Sequence, residues 1–201
     1  MARFLQILAV VVLALQGLAG AAGAAQTLAQ MLALGSLGND KAPVTVIEYA
    51  SLTCPHCAAF AKDTFEAFKQ KYIDTGKVYY TFRDFPFDQP GLHGAMMARC
   101  AGPDQYFGLL AVLFKSQDSW ATAPDPTAEL AKIGRLAGLD KEAFDACMAD
   151  KALQDGILKG EMDAQHNLQV DATPTFIVNG VRHSGNMPLE EFDTILAPLL
   201  K

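Results

Sequence analysis

Val44-Thr45-Val46-Ile47-Glu48-Tyr49, followed closely by Cys54-Pro55-His56-Cys57, is the stretch whose reading decides the fold. The first six residues read as a buried strand. From Ala58 onward, Phe60, Phe65, Phe68 and Tyr72 fall on or near one face, which predicts a helix. Cys54 is thereby placed at a strand-to-helix junction, at or near the helix N-cap. There the unpaired backbone N–H groups and the positive end of the helix dipole stabilise a thiolate. Two cysteines spaced this way can close a disulfide across one helical turn, and the thiolate is the reacting form.

Working outward, Gly76 is placed to close that helix as a C′ glycine. Lys77 to Phe85 alternates and is rich in aromatics (Tyr79, Tyr80, Phe82, Phe85), which predicts a second strand and completes a β-α-β unit. From Gln89 to about Asn167 the pattern becomes helical, with breaks at Gly102-Pro103 and Ala123-Pro124-Asp125-Pro126. Asp125 is an N-cap with Pro126 at the first helical position. Gly138 closes that helix, and Asp140 opens the next. Strand signal returns at Thr175-Phe176-Ile177-Val178, followed by the turn pair Asn179-Gly180 and a short strand Val181-Arg182-His183. Pro188 begins a terminal helix through Leu199. Strands flanking a helical block imply one α/β domain with a helical insertion, because neither strand segment alone could bury a core.

The chain opens like a secretory signal. Arg3 gives a short positive region, and Phe4 to Leu18 is an apolar run. Ala19-Gly20-Ala21 and Ala22-Gly23-Ala24 are cleavage candidates, so the mature chain is expected to start near Ala25 or Gln26. The run is about 15 residues, short of the roughly 20 that span a bilayer, and an uncleaved anchor is the alternative. Gln26 to Asn39 reads as a weakly helical lead-in ended by Gly35-Ser36 and Gly38-Asn39 turns. The net charge of −6 argues against a phosphate-binding surface and against a nucleic-acid partner. Four cysteines in an exported chain point to an oxidising compartment.

Ala42-Pro43-Val44 to Tyr49, Cys54-Pro55-His56-Cys57, Phe82-Arg83-Asp84-Phe85-Pro86, the Thr173-Pro174 step and the helical insertion together resemble the DsbA family of thioredoxin-fold proteins. The resemblance covers essentially all of the mature chain. It implies a thioredoxin fold with an inserted α-helical domain: residues 40–88 and 168–201 forming the thioredoxin-like part, 89–167 the insertion, 26–39 the lead-in and 1–25 the signal peptide. It also implies thiol oxidase activity in the periplasm toward unfolded exported polypeptides with free thiols, and recycling by a DsbB-like membrane reoxidant. No cofactor is expected beyond the redox-active disulfide Cys54–Cys57.

Cys54 is the candidate nucleophile and Cys57 its buried resolving partner. The alternatives are an inert disulfide stapling the helix, or a zinc site, for which the chain offers no second CxxC and no paired histidines. His56 can place positive charge beside Cys54, or be a solvated turn histidine. Pro55 stiffens the turn. Similarity to the fold makes Pro174 the cis-proline opposite the cysteines, leaving the Thr173 backbone free to pair with an extended substrate. Many relatives carry valine before this proline, so Thr173 bears on substrate range and release. Glu48 matches the buried acid of the family and would relay protons to or from Cys57, its pKa raised by desolvation; an edge-facing, solvated glutamate is the alternative.

A subset of the family has a second, non-catalytic disulfide in the helical domain. That likeness assigns Cys100 and Cys147 to such a staple, two reduced buried thiols being the alternative. His93, His166 and His183 have no ligand spacing. Met96-Met97 and the stretch Phe107 to Phe114 read as helix core, and Trp120 as packed or groove-lining. Two further functional classes stay open at this stage: an isomerase or reductase, and a thioredoxin-fold peptide-binding protein. The lead-in is too short for a sizeable dimerisation domain, and the intact Cys54, His56, Cys57 and Pro174 set argues against lost chemistry.

Overall fold

The computed structural model describes residues 26–201, so the expected signal segment lies outside the described residues. Its centre is strand β2 (Val44–Ala50), reached after a short helix α1 (Leu28–Ala33) and a two-residue strand β1 (Ser36–Leu37). β2 pairs in parallel with β3 (Val78–Asp84) and antiparallel with β4 (Thr175–Val178), and β5 (Val181–Ser184) lines up beyond β4. The sheet order is β1-β3-β2-β4-β5. β4 is buried at every position, the run expected of a strand covered on both faces.

Pleat alternation divides β2 between two cores. Val44, Val46, Glu48 and Ala50 turn to one face and Ile47 and Tyr49 to the other. The first face meets the main core, with Phe60, Phe68, Phe176 and Phe192 at its heart. The second joins a smaller cluster of Tyr49, Phe85, Ala164, Val170 and Ile177. Glu48 is thus the one carboxylate on β2, directed into the main core at 2% exposure.

The helix after β2 is not continuous. α2 (Pro55–Asp63) bends at Thr64, where φ is −121°, into α3 (Phe65–Phe68) and a π turn over Lys69–Ile73. The cause lies in the spacing: Phe60 and Phe65 are five apart, which no straight helix places on one face. With the bend their rings meet at 6.1 Å between centroids. Gly76 closes the unit at φ +72°, its N–H donating to the Ile73 carbonyl.

The helical block comprises α4 (Gln89–Cys100), α5 (Pro103–Lys115), α6 (Gln117–Trp120), α7 (Pro126–Leu136), α8 (Lys141–Ala149) and α9 (Lys151–Leu168). Aspartates 88, 125, 140 and 150 cap α4, α7, α8 and α9, each accepting from a backbone N–H three residues on. The chain ends in α10 (Leu189–Leu196) and a 3₁₀ turn over Ala197–Leu200. Pro188 is the N-cap of α10 rather than its first residue. Among the described residues no helix is long and apolar enough to cross a membrane.

The lead-in is more than helical. Ser36 and Leu37 extend the sheet along β3, opposite Thr81 and Tyr80. Arg99 holds this segment in place: it is 3% exposed, donates from Nε to Asp84 Oδ2 at 2.6 Å, and donates from a second nitrogen to the Met31 carbonyl at 2.7 Å. A buried guanidinium needs such a partner set, since an unpaired buried charge is costly.

Candidate active site

Cys54 is the N-cap of α2, with φ −80° and ψ +120°, and its side chain makes no capping bond. The first-turn N–H groups are therefore left to face the sulfur. Cys54 Sγ lies 3.3 Å from the Thr173 carbonyl oxygen, and the Thr173–Pro174 bond is cis. Sequence positions 119 residues apart are thereby joined at one point. Cys54 and Cys57 are both free thiols and both buried, Cys57 completely.

The two thiols differ in acidity. The Cys54 pKa is lowered to about 5, chiefly because the Cys57 thiol donates to it; burial opposes this. The Thr173 hydroxyl and the backbone N–H groups of Cys57 and His56 add to the lowering. Cys57 is pushed up, first by burial, then by its bond to Cys54 and the charge of Glu48. One thiolate is stabilised and the other withheld, the division of labour that a nucleophile and a resolving cysteine require.

Pro55 and His56 are exposed on the first turn of α2. The Thr173 hydroxyl is buried and meets no partner at full hydrogen-bonding geometry, yet it lies near enough to both sulfurs to favour their thiolate forms. Glu48 is buried, so the solvated alternative is set aside. Its pKa is raised to about 8: burial drives it up, a bond from Tyr80 partly offsets this, and the charge of Cys54 adds to the rise. Cys54, Cys57, Thr173, Pro174 and Glu48 are thus gathered where β2, α2 and the start of β4 meet.

Two residues at this site were not singled out from the sequence. Tyr80 donates its hydroxyl to Glu48 Oε2 at 2.5 Å. Its signal was a tyrosine, not a phenylalanine, on the inward face of a strand, where a hydroxyl needs a partner. Gln117 donates its side-chain amide to the carbonyls of Leu52 and Cys54. Nothing in the local pattern marks it, because both acceptors lie more than sixty residues away.

Cys100 and Cys147 form a disulfide joining α4 to α8, with Cα atoms 6.2 Å apart. Trp120 is packed, 1% exposed, its Nε1 donating to the Leu113 carbonyl. Met96, Met97, Leu113 and Phe114 are core. His93 bonds to Thr127 through Nδ1 at 2.8 Å. Among the described residues no three His, Cys, Asp or Glu side chains gather as a metal site requires. A groove of about 590 Å³ is lined in part by Phe85, Phe87, Glu161, Val170 and Asp171.

A thioredoxin family model matches residues 34–197. A Rickettsia felis protein provisionally named a protein-disulfide oxidoreductase is 32% identical over 166 residues, 82% of this chain and 59% of the relative. The chain thus spans under two thirds of that relative's length. Disulfide bond formation protein D of Bacillus subtilis is 31% identical over 158 residues, 71% of this chain and 66% of that protein. The crystal structure of Wolbachia pipientis alpha-DsbA1 superposes with a TM-score of 0.76 at 38% identity, covering 83% of this chain and 90% of that one. The chain belongs to the DsbA family of thioredoxin-fold proteins.

Proposed function

We propose that this protein is a thiol:disulfide oxidoreductase that works as a dithiol oxidase on exported polypeptides in the periplasm. The observation that carries this reading is the asymmetry of the cysteine pair: Cys54 at a helix N-cap with its pKa lowered to about 5, against a buried Cys57 with its thiol held protonated. A pair whose reduced form is stabilised is a strong oxidant in its disulfide form.

In the oxidised protein a substrate thiolate attacks Cys54 Sγ, and Cys57 leaves as a thiolate that takes up a proton. A second substrate thiolate then attacks the substrate sulfur of the mixed disulfide. The substrate gains a disulfide, Cys54 leaves as its stabilised thiolate, and two electrons have passed to the cysteine pair. Glu48, its pKa raised to about 8 and its charge felt by Cys57, supplies and accepts the Cys57 proton. The His56 backbone N–H favours the Cys54 thiolate, and its ring, exposed on the same turn, would add to this wherever it carries a proton. The Thr173 backbone offers an extended polypeptide a place to pair. A DsbB-like membrane protein reoxidises the pair. The positive and apolar opening, Arg3 and Phe4 to Leu18, supports export, and the acidic charge gives no support to a nucleic-acid partner.

The test is the potential of the Cys54–Cys57 pair, measured by equilibrating the mature protein with glutathione redox buffers. A value near about −120 mV, the DsbA range, fits a dithiol oxidase. A value near about −270 mV, the thioredoxin range, would overturn the oxidase in favour of a reductant. Disulfide formation in a reduced, unfolded polypeptide, followed in the same preparation, separates an oxidase from a protein that only binds peptides.

A further inference from the structure

Tyr80 has no place in the chemistry described so far, yet its hydroxyl is the only side-chain partner of the Glu48 carboxylate among the described residues. Both residues are 2% exposed. Tyr80 sits on β3 opposite Val46 and Glu48 on β2 opposite Phe82, so the bond runs diagonally between neighbouring strands. The Tyr80 ring is clamped by Phe65 at 5.2 Å and Phe68 at 6.3 Å between centroids, which leaves the hydroxyl little freedom to turn away.

We propose that Tyr80 is a positioning residue for thiol–disulfide exchange, holding Glu48 through this hydrogen bond in the form that can both take and return the Cys57 proton. The inference rests on the oxidoreductase reading and deepens it. The argument is one of competing effects on a single carboxyl. Burial drives Glu48 toward its neutral form, and the phenol, a donor, favours the carboxylate. With the charge of Cys54, which also pushes it up, they leave Glu48 titrating at about 8, near the working pH. The other titratable groups facing the pair are Cys54 and Cys57 from α2 and Tyr106 from α5; β4 brings only Phe176 opposite Glu48. The buried Asp84–Arg99 pair lies beyond Tyr106, whose ring stands 5.5 Å from the guanidinium carbon. Among the described residues no cation is thus placed to do for Glu48 what the Tyr80 hydroxyl does.

The step that exposes this role is closure of the active-site disulfide. The Cys54 thiolate attacks oxidised glutathione, one glutathione leaves as its thiolate, and a Cys54–glutathione mixed disulfide forms. The Cys57 proton passes to the Glu48 carboxylate, and the Cys57 sulfur attacks Cys54 Sγ. The Cys54–glutathione bond breaks, and the second glutathione leaves as a thiolate. Two electrons have moved from the cysteine pair to the two glutathiones, and Glu48 then releases its proton to solvent. Below the titration of Glu48, the rate of this closure follows the ionised fraction of its carboxyl.

The experiment follows resolution of the mixed disulfide by acid-quenched mass analysis from pH 5 to 10, in wild type, Tyr80→Phe, Glu48→Gln and the double variant. Tyr80→Phe is expected to move the break in the pH profile upward by about one unit or more, making closure about tenfold slower at pH 7. Glu48→Gln should abolish the break, and adding Tyr80→Phe to it should change the rate no further. A Tyr80→Phe profile whose break stays at the wild-type pH overturns the proposal, whatever its melting temperature. So does a further slowing on the Glu48→Gln background. Should Tyr80→Phe not fold, 3-fluorotyrosine incorporated throughout the wild-type chain makes the phenol a stronger donor. It is expected to move the break downward, and an unmoved break overturns the proposal equally. A wild type that forms no mixed disulfide at all would instead overturn the oxidoreductase reading.

Discussion

Gln117 Nε2 donates to the carbonyl oxygen of Cys54 at 3.0 Å, and to that of Leu52 at 2.8 Å, from a side chain only 4% exposed. The helical block thus holds the backbone of Cys54 directly. Cys54 O also accepts from the Ala58 N–H at 3.1 Å, so Leu52 O depends more heavily on the glutamine. Gln117→Leu, of similar size but without donors, is expected to destabilise the protein by about 1–3 kcal/mol, the cost of leaving a buried acceptor unmet. A lowered urea midpoint with an unchanged slope would bear this out.

Asp84 and Arg99 form a buried ion pair, at 4% and 3% side-chain exposure. Asp84→Asn strands the guanidinium without its counter-charge, which is expected to cost about 3–5 kcal/mol. Because Arg99 also bonds the Met31 carbonyl, α1 and the edge strand β1 should loosen first. Hydrogen exchange ought to speed up over residues 28–37 more than over β2, and uniform loss of protection would argue against a local tether.

How much of this was legible beforehand depends on the range of the contact. The strand–turn–helix around Cys54, the caps at Asp125 and Asp140 and the Asn179-Gly180 hairpin are written in residues within a few positions of one another. Each was readable. The bend at Thr64 is written there too, in the five-residue step from Phe60 to Phe65, which a regular helical period does not accommodate. β1 was missed because a two-residue edge strand has no periodicity of its own; it exists by pairing with Thr81 and Tyr80. Tyr80 and Gln117 belong to the same class. Each matters for an acceptor that only the tertiary fold brings near, and sequence pattern carries no address for it.

The Thr173 hydroxyl is an unusual buried group, without a partner at full hydrogen-bonding geometry but close to both sulfurs. Thr173→Val removes it with almost no change of shape. The Cys54 pKa is expected to rise, because one of the groups lowering it is gone. In the oxidised form, where Cys54 does not titrate, stability should be unchanged or slightly higher, since no hydrogen bond is lost and a buried polar atom is replaced by a methyl. In the reduced form the raised Cys54 pKa should cost stability at neutral pH. Thiolate absorbance of the reduced protein and thermal unfolding of both forms test this, and a fall in the stability of the oxidised form would mean that the hydroxyl is bonded there.

The acidity of Cys54 makes the two redox forms respond differently to pH. An ordinary thiol titrates at about 8.5, and Cys54 in the folded, reduced protein at about 5. A depressed acid stabilises the fold in full above its unfolded pKa, and that contribution is lost as pH falls through the folded value. The reduced form therefore should lose stability relative to the oxidised form as pH falls from about 8.5 to 5. Glu48 acts with the opposite sign, costing stability as pH rises from about 4.3 to 8, but it is present in both forms and largely cancels in their difference. Raised Cys57 acts only above about pH 8.5, outside this window. Urea midpoints of the two forms across pH 4 to 9 test the sign, and a difference that does not vary with pH would refute the acidic Cys54. His56→Ser separates ring from backbone, since serine keeps the N–H that faces the sulfur. The variant is expected to raise the Cys54 pKa and narrow the gap between the two forms at neutral pH. An unchanged thiolate titration would assign the whole effect of this position to its N–H.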